Sequence, residues 1–441
     1  MGRTELDRQQ KIGLGLFLFV AGVVALAAPQ GAKAPSRQQV AAAAQAQTRA
    51  RLVQVAPSRR RDIDYAVLDA RLRRLAAKTM MVGMAVGVVE RGRITFLSGY
   101  GETLAGSGEA VTPDTVFRWA SVSKGVAATM VAKLAEQGKL SLDDPVYRDA
   151  PSLKLPGGNE VRAKVSDVLS HRLGLYRNAF DNKLEEGQSA KFLRSTLFQL
   201  NSTCPPGTCW SYQNVAYDAA SEIVEKATGK PYREVVQREL FDPIGMTSAS
   251  VTRAGLEGAK SWARPHSAGR RPQEVNDIYY GVPAAGGVNS DIKDMALWML
   301  AQMGEMPGVL DPRLLDTLQA PRVATPLERQ HLRKFLERLH DPMYGLGWRS
   351  YDYAGHHIVG HRGGVDGYRS LILFDPKLKS GVVALWNSNT NQPGGLEFEV
   401  MDMLYHLPFR DWMEIDQGGA PAPAVAAEPI EESSGESGRR R

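Results

Sequence analysis

The sequence predicts an α+β fold, an α/β sandwich in which an antiparallel sheet is flanked by helices and a mostly helical region stands beside it. Three observations carry that prediction. Runs of β-prone residues lie near both ends of the chain, the long middle reads as helices and loops, and the first two β-prone runs are separated by a tight turn. Strands so far apart in sequence share a sheet when the segment between them packs at its side, and a hairpin that joins late strands pairs with them antiparallel.

Taken in order, residues 63–77 set Val67, Leu68, Leu72 and Leu75 at helical spacing. Residues 84–89 and 94–97 then flank Glu90-Arg91-Gly92-Arg93, the pattern of a hairpin. Over 122–137, Val122, Val126, Met130 and Leu134 recur every fourth position, and Gly138 stops the helix. From 139 to about 342 the pattern is helices and long loops. Strands are expected again at 345–351, 357–361, 368–374 and 381–386, followed by an amphipathic helix over 396–405. The sheet is therefore assigned to about 62–120 and 343–408, and the helical region to about 135–340.

With 441 residues, 43% hydrophobic and 23% charged, the chain can bury a sizeable core. Its net charge of +6 is partly gathered in the arginines at 59–61 and 439–441. No element collects Lys and Arg with interleaved aromatics, so nucleic-acid binding is not expected.

Both termini read differently from the body at 62–416. Arg3, Arg8 and Lys11 precede an apolar run at 12–28. That run is longer than a signal-peptide core of ~7–15 residues and shorter than the ~20 of a spanning helix. Residues 1–34 are thus a cleaved signal or an N-terminal anchor that associates with an inner membrane, and 35–61, rich in Ala, Gln and Arg, form a linker. Residues 417–441 hold almost nothing to bury and are expected to be disordered. Cys204 and Cys209, the two cysteines, enclose the turn-forming Pro205-Pro206-Gly207-Thr208. They make a small disulfide loop if the chain is exported, or remain two free thiols. Their spacing completes no zinc site.

Three short boxes hold the chemistry. Ser121-Val122-Ser123-Lys124 opens the 122–137 helix, where positions i and i+3 share a face, so Lys124 can reach the Ser121 hydroxyl. A serine needs such a base to become a nucleophile, and a helix start supplies N–H groups for an oxyanion. An N-capping serine beside a solvated lysine gives the same letters, and Ser290-Asp291-Ile292-Lys293 repeats the spacing. Tyr212-Gln213-Asn214 follows a Pro-Gly loop; on an extended segment the phenol and the amide point the same way. Tyr176-Arg177-Asn178 duplicates that pattern. His361-Arg362-Gly363-Gly364 closes an expected strand, where glycines admit close backbone approach and a plain strand-to-turn junction reads equally well. His356 and His357 are adjacent and face opposite sides of a strand, so neither a metal nor a cofactor is expected.

The three boxes in this order resemble class C β-lactamases, low-molecular-mass penicillin-binding proteins and related peptidases and esterases, whose acylated serine lies in Ser-x-x-Lys. Residues 116–121 (Val-Phe-Arg-Trp-Ala-Ser), 140–146 (Leu-Ser-Leu-Asp-Asp-Pro-Val), 168–175 (Val-Leu-Ser-His-Arg-Leu-Gly-Leu) and 285–290 (Ala-Gly-Gly-Val-Asn-Ser) are similar to segments of that family, over about 62–407. The resemblance implies a β-lactamase/transpeptidase-like fold and a serine hydrolase of amide or ester carbonyls; the N-terminal apolar run and the possible disulfide suggest export to the periplasm. Ser121 would be the nucleophile, Lys124 its partner and Tyr212 a proton shuttle. Asn214 would orient the substrate amide, His361 and Gly363 would form the third box, and the N–H groups of Ser121 and Gly364 the oxyanion hole. It also places Ser290 in a loop and selects Tyr212 over Tyr176. The substrate would be a small molecule, a D-amino-acid peptide, an ester or a β-lactam. The third box departs from the usual Lys-Thr-Gly: an imidazole and a guanidinium stand where a lysine and a hydroxyl meet a β-lactam carboxylate. Acyl transfer is expected to survive that change better than antibiotic hydrolysis. A penicillin-binding or scaffold module without turnover is the alternative of another class.

Overall fold

The computed structural model describes residues 62–416, with Gln47, Arg49, Ala50, Leu52 and Val53. The leader at 1–34, most of the linker and the tail at 417–441 lie outside the described residues.

Asp64 caps the first helix, α1 (Tyr65–Ala76), by accepting from the N–H groups of Ala66 and Val67. The expected hairpin follows as β1 (Gly83–Glu90) and β2 (Arg93–Gly101). After the two-residue β3 (Phe117–Arg118) comes α2 (Ser123–Glu136), which ends at Gly138 with φ 69°. The helical region includes α3 (Ala219–Thr228), the two-residue β4 (Asn289–Ser290) and α4 (Ile292–Gln302). The chain then returns through β5 (Val323–Ala324), β6 (Leu339–Tyr344), β7 (Arg349–Tyr353), β8 (His356–Val365), β9 (Tyr368–Asp375) and β10 (Ser380–Trp386) to α5 (Leu396–Leu404).

One antiparallel sheet runs β2-β1-β10-β9-β8-β7-β6-β5. Its centre joins the two ends of the chain: Val86 of β1 faces Ser98 of β2 on one side and Ala384 of β10 on the other. Every residue of β1, β9 and β10 is buried, as befits strands covered on both faces. Alternate side chains divide between two cores. Ala85, Val89, Val383 and Leu385 pack with α2 and α4, while Met84, Val86, Val88, Val382 and Ala384 pack with Leu68, Leu72 and Leu75 of α1 and with Phe398 and Met401 of α5.

Three expectations need correction. The strand expected at 345–351 begins only at Arg349, as β7; residues 345–348 are a turn between β6 and β7, in which Gly345 N–H donates to Trp348 C=O and Gly347 has φ 73°. The strand before it, β6, escaped notice because Pro342 interrupts it; the ladder tolerates the proline through a register shift between His340 and Met343. Second, the strand expected at 357–361 does not stop at His361. β8 runs on through Gly363 and Gly364 because β9 pairs with it as far as Val365 and Tyr368. Third, Ser290 lies not in a loop but on β4, opposite Phe117.

Candidate active site

Ser121 sits in a 3-10 turn (Ala120–Val122) that leads directly into α2, and its N-terminal neighbour Ala120 has φ 48°. A non-glycine residue in the left-handed region is strained and persists where its surroundings fix it. They do so here. Trp119 N–H donates to Val288 C=O at 2.8 Å, Ser370 Oγ donates to Trp119 C=O at 2.6 Å, and Trp119 Nε1 donates to Ser290 Oγ at 2.9 Å.

Lys124, one helical turn on, is fully buried. Its Nζ is 2.6 Å from Asn214 Oδ1, 3.2 Å from Ala285 C=O and 3.3 Å from Ser121 Oγ. The first two can only accept, so two N–H bonds are spent on them. The remaining position faces the serine. An ammonium there donates to Oγ; a neutral amine turns its lone pair toward the hydroxyl. The Asn214 orientation follows from its other end, where Nδ2 donates to Asp181 Oδ2 at 2.8 Å.

Tyr212 lies on the extended segment after the Cys204–Cys209 disulfide, which is formed. The segment is tied down on both sides: Ser211 N–H donates to His171 C=O, Asn178 N–H to Tyr212 C=O, and Gln213 N–H to His171 Nδ1. The Tyr212 ring lies against the His171 ring, tilted by 31° with centroids 4.3 Å apart, and Lys124 Nζ stands 4.4 Å from the Tyr212 centroid. Two guanidiniums flank the same ring, Arg349 at 5.9 Å and Arg177 at 6.0 Å. Both face buried Glu328, with Arg349 at 2.7 Å and Arg177 at 3.9 Å.

The third box meets the nucleophile through backbone. A Cβ on Gly363 would lie 2.3 Å from Trp119 C=O and 2.9 Å from Ser121 N, so only glycine fits. β7 pairs with β8 only as far as Gly360, which leaves Gly363 and Gly364 beyond its reach. His361 is buried, and its Nε2 lies 3.1 Å from Tyr344 Oη, which lies 3.1 Å from His171 Nε2. Because His171 Nδ1 accepts from Gln213, its Nε2 carries the proton toward Tyr344, and the Tyr344 hydroxyl then donates to His361. Burial, reinforced by the charges of Lys124, His361, Arg349 and Arg177, holds the His171 pKa well below the usual imidazole range.

The structure thus brings Ser121, Lys124, Tyr212, Asn214, His361 and Gly363 into one contact network. The Tyr176 and Lys293 side chains of the two duplicates are not part of it: Tyr176 is an exposed side chain, and Lys293 pairs with Asp114. His171, Asp181, Glu328, Tyr344 and Arg349 were not singled out from sequence. A local signal existed for His171 alone, within the 168–175 segment. Among the described residues, no three His, Cys, Asp or Glu side chains stand together as a metal site.

The family model described as Beta-lactamase matches residues 68–402. Unguisins hydrolase ungD' of Aspergillus campestris is 29% identical over 349 residues, covering 74% of this chain and 61% of that protein. The chain therefore spans about three fifths of that relative's length. Penicillin-binding protein 4 of Amycolatopsis lactamdurans is 28% identical over 378 residues, covering 83% of this chain and 94% of the relative. Among solved structures, the octameric penicillin-binding protein homologue from Pyrococcus abyssi superimposes with a TM-score of 0.70 at 23% identity, covering 78% of each chain, a likeness of fold. A family match that takes in Ser121, Lys124, Tyr212 and His361, with the sheet and helices to go with it, has one reading: the chain belongs to the Beta-lactamase family.

Proposed function

We propose that this protein is a serine hydrolase that forms an acyl-enzyme on Ser121 from an amide or ester carbonyl. The observation that carries the reading is the position of Lys124 Nζ, held by two acceptors so that its remaining valence faces Ser121 Oγ. Ser121 Oγ attacks the carbonyl carbon as its proton passes to Lys124. The tetrahedral oxygen is received by the N–H groups of Ser121 and Gly364, where β8 crosses the nucleophile turn. Tyr212, in contact with Lys124, delivers the proton to the departing nitrogen or oxygen, and water hydrolyses the acyl-enzyme by the reverse path. Asn214 keeps Lys124 in place. His361, set by Tyr344 and His171, shapes the third box.

The substrates best matched to this site are small peptides, those with D-amino acids first, and simple esters. The Cys204–Cys209 disulfide and the apolar run at 12–28 support an exported, periplasmic location. Among the described residues, no helix is long and apolar enough to cross a membrane.

The test is intact mass and turnover with a fluorescent penicillin and an activated short-chain ester, on wild type and Ser121→Ala. Label or ester turnover on the wild type alone is expected; equal turnover by Ser121→Ala would overturn the assignment.

A further inference from the structure

Asp218 stands at the start of α3, yet its carboxylate makes no bond to the backbone N–H groups of that helix. An aspartate in this place ordinarily caps its own helix. Here the carboxylate is turned across to other segments. Its Oδ1 accepts from Ala284 N–H at 3.0 Å and from Ser221 Oγ at 2.7 Å, and its Oδ2 accepts from Arg194 Nη1 at 2.7 Å. Asp218 and Arg194 are both buried, and Arg194 Nε donates to Ser152 Oγ at 3.0 Å.

Ala284 belongs to the helical turn Pro283–Gly286, which begins at Val282 without any capping side chain of its own. Pro283 has no N–H, so Ala284 carries the first N–H of the turn. Asp218, 66 positions away in the chain, caps it. The next residue, Ala285, gives its C=O to Lys124 Nζ. The other acceptor of Lys124 is the Asn214 side chain, and Asp218 N–H donates to Asn214 C=O at 3.1 Å. One buried residue is thus bonded to both segments that hold the lysine.

We infer that Asp218 is a positioning residue: by capping the 283–286 turn it fixes Ala285 C=O relative to Asn214, and so sets the direction in which Lys124 faces Ser121. The inference rests on the function proposed above, in which Lys124 takes the serine proton. What the role needs from Asp218 is an acceptor oxygen; Arg194 holds that oxygen in place and balances its charge. Without the oxygen, Ala284 N–H is left buried and unmet. The turn then relaxes toward another partner, and Ala285 C=O moves with it.

The test separates the acceptor from the ion pair with two double variants of similar volume. Asp218→Asn/Arg194→Met removes both charges and keeps a carbonyl oxygen for Ala284. Asp218→Leu/Arg194→Met removes both charges and the oxygen. Glu222 keeps its hydrogen bonds to Ser152 in both. Replacing a buried ion pair as a whole is tolerated far better than removing one partner, so the asparagine variant should turn over an activated short-chain ester within about fivefold of wild type. In the leucine variant kcat should fall about a further 10- to 100-fold with KM within about threefold, because acylation and deacylation both pass a proton through Lys124. Asp218→Ala/Arg194→Met carries the same expectation where leucine does not pack. Equal kcat with and without the oxygen, or a loss confined to KM, overturns the inference and leaves the hydrolase reading standing. Absence of Ser121-dependent turnover in the wild type removes the hydrolase reading and the inference with it.

Discussion

The Arg362 guanidinium of the third box is turned onto Glu397 at the start of α5, with Nε 2.8 Å from the carboxylate Oε1. The carboxylate is nearly buried, at 4% exposure, so removing its cation leaves a charge without its partner. Arg362→Ala should therefore lower stability by about 1–3 kcal/mol. Acylation should stay within about threefold, the range of a side chain remote from the chemistry. Urea unfolding and ester turnover on the same preparation separate the two effects. A large loss of acylation without a loss of stability would put Arg362 back in the cleft.

Gly363 is the point where β8 touches the nucleophile turn. Gly363→Ala forces a methyl against Trp119 C=O and Ser370 Oγ, so Ser121 N must move. A displaced oxyanion donor costs about 10²–10³ in kcat. The expected outcome is that loss with a retained fold, read from steady-state kinetics and circular dichroism. Undiminished turnover would show that the oxyanion is held elsewhere.

Asp181 fixes Asn214, and Asn214 fixes Lys124. Asp181→Ala frees the amide to rotate and present a donor to Lys124 in place of an acceptor. Turnover should fall by about 10- to 100-fold, in kcat more than KM, as expected when a proton-transfer group is misplaced. Asp181→Asn, which keeps an acceptor oxygen, should retain more activity than Asp181→Ala. Equal kinetics in the two variants would show that the amide is held by other contacts.

His171 ties stability to pH. Burial keeps its folded pKa below the usual 6.5, so below that pH the unfolded chain takes the proton more readily, and stability falls as pH drops. The slope approaches about 1.4 kcal/mol per pH unit for one proton. Asp218 acts in the opposite sense: burial pushes its pKa up from 3.8 to about 6, so its favourable contribution is full below 3.8 and lost as pH rises through about 6. The difference between wild type and His171→Gln isolates the histidine. Wild type should lose stability more steeply below pH 6.5, and parallel curves would contradict the assignment.

The parts of this molecule that sequence displays are those decided by neighbours in the chain. The 83–101 hairpin, α1 and α2 follow from local periodicity and from stops at Gly92 and Gly138. Ser121 and Lys124 share a helix face, and that much is readable. Contacts made at long range are not. His171 and Tyr344 are 173 positions apart, and their hydrogen bond is created by the packing of the helical region on β6. The continuation of β8 through two glycines is likewise set by its pairing with β9, since glycine alone signals an interruption. Pro342 hid β6 for the converse reason: a register shift absorbs a residue that local rules exclude from a ladder.

The seating of β1 between β2 and β10 bears on how the chain reaches this state. A growing polypeptide emerges with its hairpin first, and that hairpin presents an unpaired apolar edge until residues 380–386 have been synthesised. Sheets closed by such distant partners form slowly, because a long loop must be drawn in before any contact rewards it. The nascent protein therefore remains open to chaperones until that last partner arrives. A truncation anywhere upstream of β10 leaves an adhesive strand edge and an aggregation hazard in place of a smaller enzyme.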